Sequence, residues 1–225
     1  MKKLIVFLTG ILLCGPLSAQ QLFLEAFSGY NFTSYDLEGF DASAGYVPIG
    51  FRIAGGLERL QLGLEYQSTI TDPRFTFQDN TGEDIARTEF SNSYYGALLR
   101  YNTSSLPAYR FGVIFKLGAG FYQSEQSNFL LPAENLSEPI IEYEPTVGFN
   151  AGIGISAPIY TLLHWEIGYM FHYIEWEAES AAALPTFNGS YHSIQVGLSL
   201  NLVFGKVRAK CRRLIKSDRS NRGFR

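Results

Sequence analysis

Two groups of side chains in this sequence have the types and spacing to do chemistry. The first is His164 with Glu166 two residues on, followed by Ser193 and Ser199. Serine, imidazole and carboxylate are the parts of a nucleophilic hydrolase, in which the base takes the hydroxyl proton and the acid orients the base. The second is a set of isolated charges inside otherwise apolar runs: Glu25, Arg52, Glu65, Arg100, Arg110, Lys116 and Glu166. Charges withdrawn from water must pair. These three acids and four bases therefore make either a gate or proton path, or an ionic plug, with Glu65 a candidate partner for Lys116. No metal-ligand spacing, phosphate loop or nucleotide motif accompanies them, so no metal, cofactor or nucleic acid is expected.

Which chemistry is available depends on the elements that carry these residues, and the dominant pattern is period two. From Tyr109 to Phe121 one face reads Tyr109, Phe111, Val113, Phe115, Leu117, Ala119, Phe121 and the other Arg110, Gly112, Ile114, Lys116, Gly118, Gly120. The same rule runs over Val147 to Ile155, Leu163 to Tyr173 and Ile194 to Phe204. It is less tidy over Leu22 to Thr33, Ile49 to Ile53, Leu60 to Tyr66 and Glu89 to Tyr101, where the start of the last is ambiguous. That makes eight strands. The connections alternate: 57–60, 102–107 and 157–161 are short, whereas 34–46, 71–88, 124–142 and 176–189 are long and polar. Short turns at one end and long loops at the other predict an all-β fold, an eight-stranded antiparallel up-and-down transmembrane β-barrel. An even strand count puts both chain ends on the short-turn, periplasmic side.

The chain around the barrel divides in three. Residues 1–20 carry Lys2 and Lys3, an apolar stretch and a small residue at Ala19, the pattern of a cleaved signal peptide. The barrel is expected over 21–204, and 205–225 form a basic tail expected to be disordered. The net charge of −3 conceals this division, because nine of the 18 Lys and Arg fall in the tail. The barrel region is left strongly acidic. Only Cys211 remains after the signal segment, which excludes a disulfide-stapled domain. No later run is long and apolar enough for a membrane-spanning helix.

Alternation does not say which face points inward. A soluble, lipocalin-like ligand carrier would bury the aromatic face. The polar face here is rich in Gly with a few long charged residues, a mixture that fills a narrow lumen, and the apolar face is nearly unbroken. The apolar face is therefore read as lipid-facing, with Val113, Ile153, Ile167 and Val196 on it.

With its signal segment, alternating strands and a last strand ending at Phe204, the chain resembles the small outer-membrane β-barrel domains of the OmpA-barrel, OmpX and PorT-like group. The resemblance is architectural, and the chain departs from it by continuing 21 residues past that aromatic. It implies a bacterial outer-membrane location and a structural or surface-interaction role. A lipid-active, deacylase-like enzyme is the alternative, but the His164 group points inward, away from any acyl substrate, and the outer face offers little beyond His192. No catalytic residue is assigned. Two further surfaces are candidates for partners besides outer-membrane lipids and lipopolysaccharide. The loops carry Asp36, Glu38, Asp41, Asp79, Glu83, Asp84, Glu134, Glu138, Glu177 and Glu179, suited to divalent cations or a surface partner. The tail carries Lys206, Arg208, Lys210, Arg212, Arg213 and Lys216, suited to an anionic periplasmic partner.

Overall fold

The computed structural model describes residues 21–37, 40–57, 59–71, 74–78, 81–104, 111–130, 135–136, 141–160, 162–176 and 187–203. Residues 1–20, Arg110, Phe204 and the basic segment from Lys206 lie outside them, as do Glu38, Asp79, Glu134, Glu138, Glu177 and Glu179.

Eight strands build the barrel: β1 Gln21–Leu37, β2 Pro48–Gly56, β3 Leu60–Thr69, β4 Asp84–Asn102, β5 Gly112–Leu130, β6 Thr146–Pro158, β7 Leu163–Tyr173 and β8 Tyr191–Val203. Each pairs antiparallel with the next, and β8 pairs with β1, so the sheet closes on itself. The pairing line from Leu22 runs through Gly55, Leu62, Leu99, Leu117, Ala151, Phe171 and His192, and returns to β1 at Phe32, ten residues further on. That stagger is what closure of a tilted sheet requires. Gln21 lies opposite Val203 and Gly56, so both ends of the described barrel sit at the short-turn end. Those turns are tight, as Leu57 N–H to Leu60 O at 2.9 Å and Ile159 N–H to Leu163 O at 2.9 Å.

The wall is inverted relative to a soluble barrel. Along β8 every inward residue from Tyr191 to Asn201 is buried, and these include Ser193, Gln195, Ser199 and Asn201. Outward residues are large and apolar, with Phe51 56% exposed and Leu198 54%. The outward face expected for Ile153, Ile167 and Val196 is observed. On β4 the ambiguity resolves with Ser91, Ser93, Tyr95, Ala97, Leu99 and Tyr101 outward and Phe90, Tyr94, Leu98 and Arg100 buried inside.

The long connections depart from the sequence reading. Segments expected as loops are largely strand: β1 runs on to Leu37 and pairs with Phe40–Tyr46, Arg74–Gln78 pairs with the start of β4, and β5 extends to Leu130. Once a wall rises beyond an apolar surroundings, both of its faces meet water. Backbone pairing persists there while the apolar–polar alternation that marks a strand disappears.

Candidate functional site

The charged lumen residues are carried by six different strands onto one level of the interior. Glu25, Arg52 and Glu65 are direct register partners on β1, β2 and β3, so an acid flanks the arginine on each side. Arg52 Nη1 donates to Glu25 Oε2 at 3.0 Å and Nη2 to Glu65 Oε1 at 2.9 Å. Nη2 also reaches Gln195 Oε1 at 2.5 Å, and the guanidinium lies 3.7 Å from the centre of the Phe27 ring.

On the facing wall the register is unfavourable. Arg100 on β4 and Lys116 on β5 stand directly opposite each other, a like-charge cross-strand pair. Glu166, reaching in from β7, resolves it. Its Oε2 accepts from Arg100 Nη2 at 3.1 Å and its Oε1 is paired with Lys116 Nζ. Lys116 Nζ also lies 3.8 Å from Glu25 Oε2, on the opposite side of the ring. The result is a continuous chain of alternating sign: Glu65, Arg52, Glu25, Lys116, Glu166, Arg100. It ends in Gln61, whose Oε1 accepts from Arg100 Nη1 at 2.8 Å and whose Nε2 donates to Gln21 Oε1 at 3.2 Å. Arg100 also lies 4.0 Å over the Phe23 ring. All six charged residues are 1–4% exposed, and the described set is neutral.

Six of the seven residues expected in the lumen network are thus brought together, and Arg110 lies outside the described residues. One pairing is corrected: the partner of Glu65 is Arg52, while Lys116 is held by Glu166 and Glu25. The room comes from missing side chains. A Cβ at Gly197 would stand 2.5 Å from Glu25 Oε1.

Above the charged level, towards the long hairpins, sits a tier that the sequence reading missed. Tyr122 OH lies 2.8 Å from His172 Nδ1 and accepts from Asn150 Nδ2 at 3.3 Å. His172 stacks on Tyr191 at 4.2 Å, Tyr94 packs on Tyr122 at 4.5 Å, and Gln67 Nε2 donates to Tyr191 OH at 3.1 Å. Tyr143 is also buried, its OH donating to Gln126 Oε1 at 2.6 Å, and buried Phe90 stands opposite Gln126 in register. The signal available in the sequence was parity. Tyr94, Tyr122, His172 and Tyr191 all fall on the polar phase of their strands.

The hydrolase parts are not assembled as such. Glu166 is engaged by two cations, and His164 is buried opposite Ser199 in register. Neither Ser193 Oγ nor Ser199 Oγ has a hydrogen-bond partner among the described residues, so no serine–imidazole contact is present there. His192 faces outward, 2.5 Å from Tyr169 OH. Of the acidic loop residues, Glu83 and Asp84 are exposed at a turn, and Asp36 and Asp41 are described only in their backbone pairing. Among the described residues no group of His, Cys, Asp and Glu could hold a metal ion.

No protein-family profile and no curated protein sequence matches this chain. Solved structures do. Neisserial surface protein A shares 15% identity at a TM-score of 0.52, covering 80% of this chain and 96% of its own. The N-terminal barrel of Pseudomonas aeruginosa OprF shares 12% identity at a TM-score of 0.45, covering 82% and 98%. The attachment invasion locus protein Ail of Yersinia pestis shares 11% at 0.41, covering 80% and 98%. At such identity the likeness is one of fold, and the closed ring of eight antiparallel strands agrees with it: the chain has the fold of the small outer-membrane β-barrels.

Proposed function

We propose that the chain is an integral protein of the bacterial outer membrane, non-enzymatic, with a lumen closed by its ion network and acidic hairpins that meet the outside. The observation that carries this reading is the inverted wall. Large apolar side chains cover the outer face of all eight strands, while arginine, lysine and glutamate are buried within. Aromatic residues border the belt at both ends, with Tyr101, Phe111 and Tyr160 towards the short turns and Phe32, Phe121 and Tyr173 towards the hairpins. An apolar belt between aromatic girdles suits hydrocarbon between two interfaces, and water would not tolerate so large a patch.

On this reading residues 1–20 direct export and are removed, the chain ends lie in the periplasm and the long hairpins face outward. The lumen charges act as a plug, because each acid is held by at least one cation and the described set sums to zero. The acidic hairpin residues meet the lipopolysaccharide layer, where divalent ions bridge carboxylates to phosphates. The basic tail, Lys206 to Arg225, serves an anionic periplasmic partner. A deacylase is the poorer reading, since Glu166, the acid two residues from His164, is committed to Arg100 and Lys116.

Spin labels at Ile153 and Val196, in protein folded into lipid vesicles, test the orientation. Both should collide with lipid-soluble oxygen far more than with a water-soluble paramagnetic reagent. The opposite preference would make the barrel a soluble one and end this reading.

A further inference from the structure

The outer wall is not uniformly thick. Between β4 and β5 three successive outward pairs stand in register: Tyr95 with Phe121, Ala97 with Ala119, and Leu99 with Leu117. Large side chains thus flank a middle pair of alanines. Between the first two pairs Gly96 lies opposite Gly120, so the wall there is little more than backbone, with Tyr94 packed against its inner side. The hollow continues as a furrow along the register rows into β3, β2 and β1. Tyr66 and Phe51 extend the wall made by Tyr95 and Phe121, and Leu64, Ile53 and Leu24 form the opposite side. The furrow ends against Leu163, Leu198 and Leu200, and its volume is about 1040 Å³. A second hollow, at Val113, Ile153, Ile167 and Ile194, has about 480 Å³.

The furrow is braced from within. Part of its floor is the backbone of Glu25, Arg52 and Glu65, whose side chains turn inward and are bonded to one another. A site held in shape before it is filled loses little freedom on binding. In lipid no hydrophobic force draws an acyl chain onto protein, so retention depends on close packing and hydrogen bonds. Ala97 and Ala119 admit the first. Tyr66 and Tyr95, 49% and 46% exposed, supply the second, because each carries a phenol donor along the wall nearer the hairpins. The stagger that carries Leu22 round to Phe32 makes the rows climb from β1 to β5. The Ala97–Ala119 end therefore lies nearest the hairpins and the Leu24 end nearest the short turns.

We propose that this furrow holds one acyl chain of a lipid from the hairpin-side leaflet. The carbonyl at the head of the chain accepts from Tyr66 or Tyr95, and its methyl end lies towards Leu24 and Leu200. The proposal rests on the reading that the outer wall meets hydrocarbon.

The test uses the full-length protein folded into phosphatidylcholine vesicles doped with a phosphatidylcholine whose acyl chain carries a photoactivatable diazirine. The residues it labels are mapped by mass spectrometry. Leu64, Ala97 and Ala119 should be labelled about tenfold more than Ile153 and Ile167 in the smaller hollow, equivalent to about 1.4 kcal/mol of preference. Ala97→Phe with Ala119→Phe fills the furrow and should bring Leu64 down to the level of Ile153. Tyr66→Phe with Tyr95→Phe should also lower labelling at Leu64, whereas Ala151→Phe, exposed on the wall outside the furrow, should change nothing. Heat-modifiable gel migration reports folding, and the tyrosine variant decides the matter if the filled one does not fold. Even labelling around the wall, or labelling of Leu64 that survives both pairs of substitutions, overturns the proposal. So does protection of Leu64 with Ile153 still labelled, which would mean that a second copy covers the furrow. Absence of labelling at both Leu64 and Ile153 would instead refute the lipid-facing wall itself.

Discussion

Glu166 is where the lumen is most exposed to perturbation, because one carboxylate holds apart two cations that the register sets face to face. Glu166→Gln keeps the shape and one acceptor, and leaves the described interior with a net charge of +1. Breaking a buried ion pair by removing one partner costs about 3–5 kcal/mol. Glu25, 3.8 Å from Lys116, and Gln61, bonded to Arg100, soften the loss, so we expect the lower part of that range. The double variant Glu166→Gln/Lys116→Gln restores neutrality and removes the like-charge pair. It should therefore be more stable than Glu166→Gln alone, with a coupling of about 0.5–3 kcal/mol. Urea titration of protein folded in lipid vesicles, read by gel migration and tryptophan emission, measures both. If Glu166→Gln costs under about 1 kcal/mol, or if the two substitutions simply add, the network is not an interdependent unit and the plug argument fails.

Other outcomes follow from the same geometry. Planar bilayers should show negligible ion conductance, since an eight-stranded interior is only wide enough for side chains to fill; steady, large conductance from the unmodified protein would refute the closed lumen. Arg at Ile153 or Val196, both on the exposed outer face, should cost about 2–4 kcal/mol in vesicle unfolding titrations, and the same change at the exposed Glu83 should cost little. Gly197→Ala should destabilise by about 1–3 kcal/mol in the same titrations, because the added carbon would meet the Glu25 carboxylate, which Arg52 holds in place. Removing residues 206–225 should leave insertion and gel migration unchanged; loss of folding would make that segment part of the barrel.

The fold was legible where one wall face is apolar and the other is not. From Leu163 to Tyr173 and Ile194 to Leu202 strict alternation sets both element type and inward face, and the structure follows it residue by residue. The hairpin extensions were illegible for the converse reason. Ser91, Asn92, Ser124 and Gln126 are polar on both phases, and nothing in Asp84–Phe90 or Gln123–Leu130 separates a solvated strand from a loop. The members of the ion network could be read because an isolated charge on the inward phase has few alternatives. Who pairs with whom could not, since Glu65 and Lys116 are both central in their strands and only the register shows that Arg52 lies beside the one and Glu166 within reach of the other. The aromatic tier was hidden by residue type, as tyrosine belongs equally to a lipid-facing girdle and to a buried hydrogen-bonded cluster.

The order of these layers bears on where activity can lie. From the short-turn end inward, Gln21 and Gln61 meet the charged chain, the Tyr and His tier lies beyond it, and buried Tyr143 lies further towards the hairpins, its N–H on Ser124 O. Both the charged level and the aromatic tier are buried and bonded across the interior, as Arg100 is to Glu166 and Gln67 to Tyr191, so opening either strands buried polar groups. A ligand entering the lumen would have to replace several charge-assisted bonds at once, a cost set by the same desolvation that makes Glu166 sensitive. Lateral contacts face no such barrier. The outer belt, where Phe51, Leu62 and Leu198 are exposed, can be contacted without breaking any bond of the interior network.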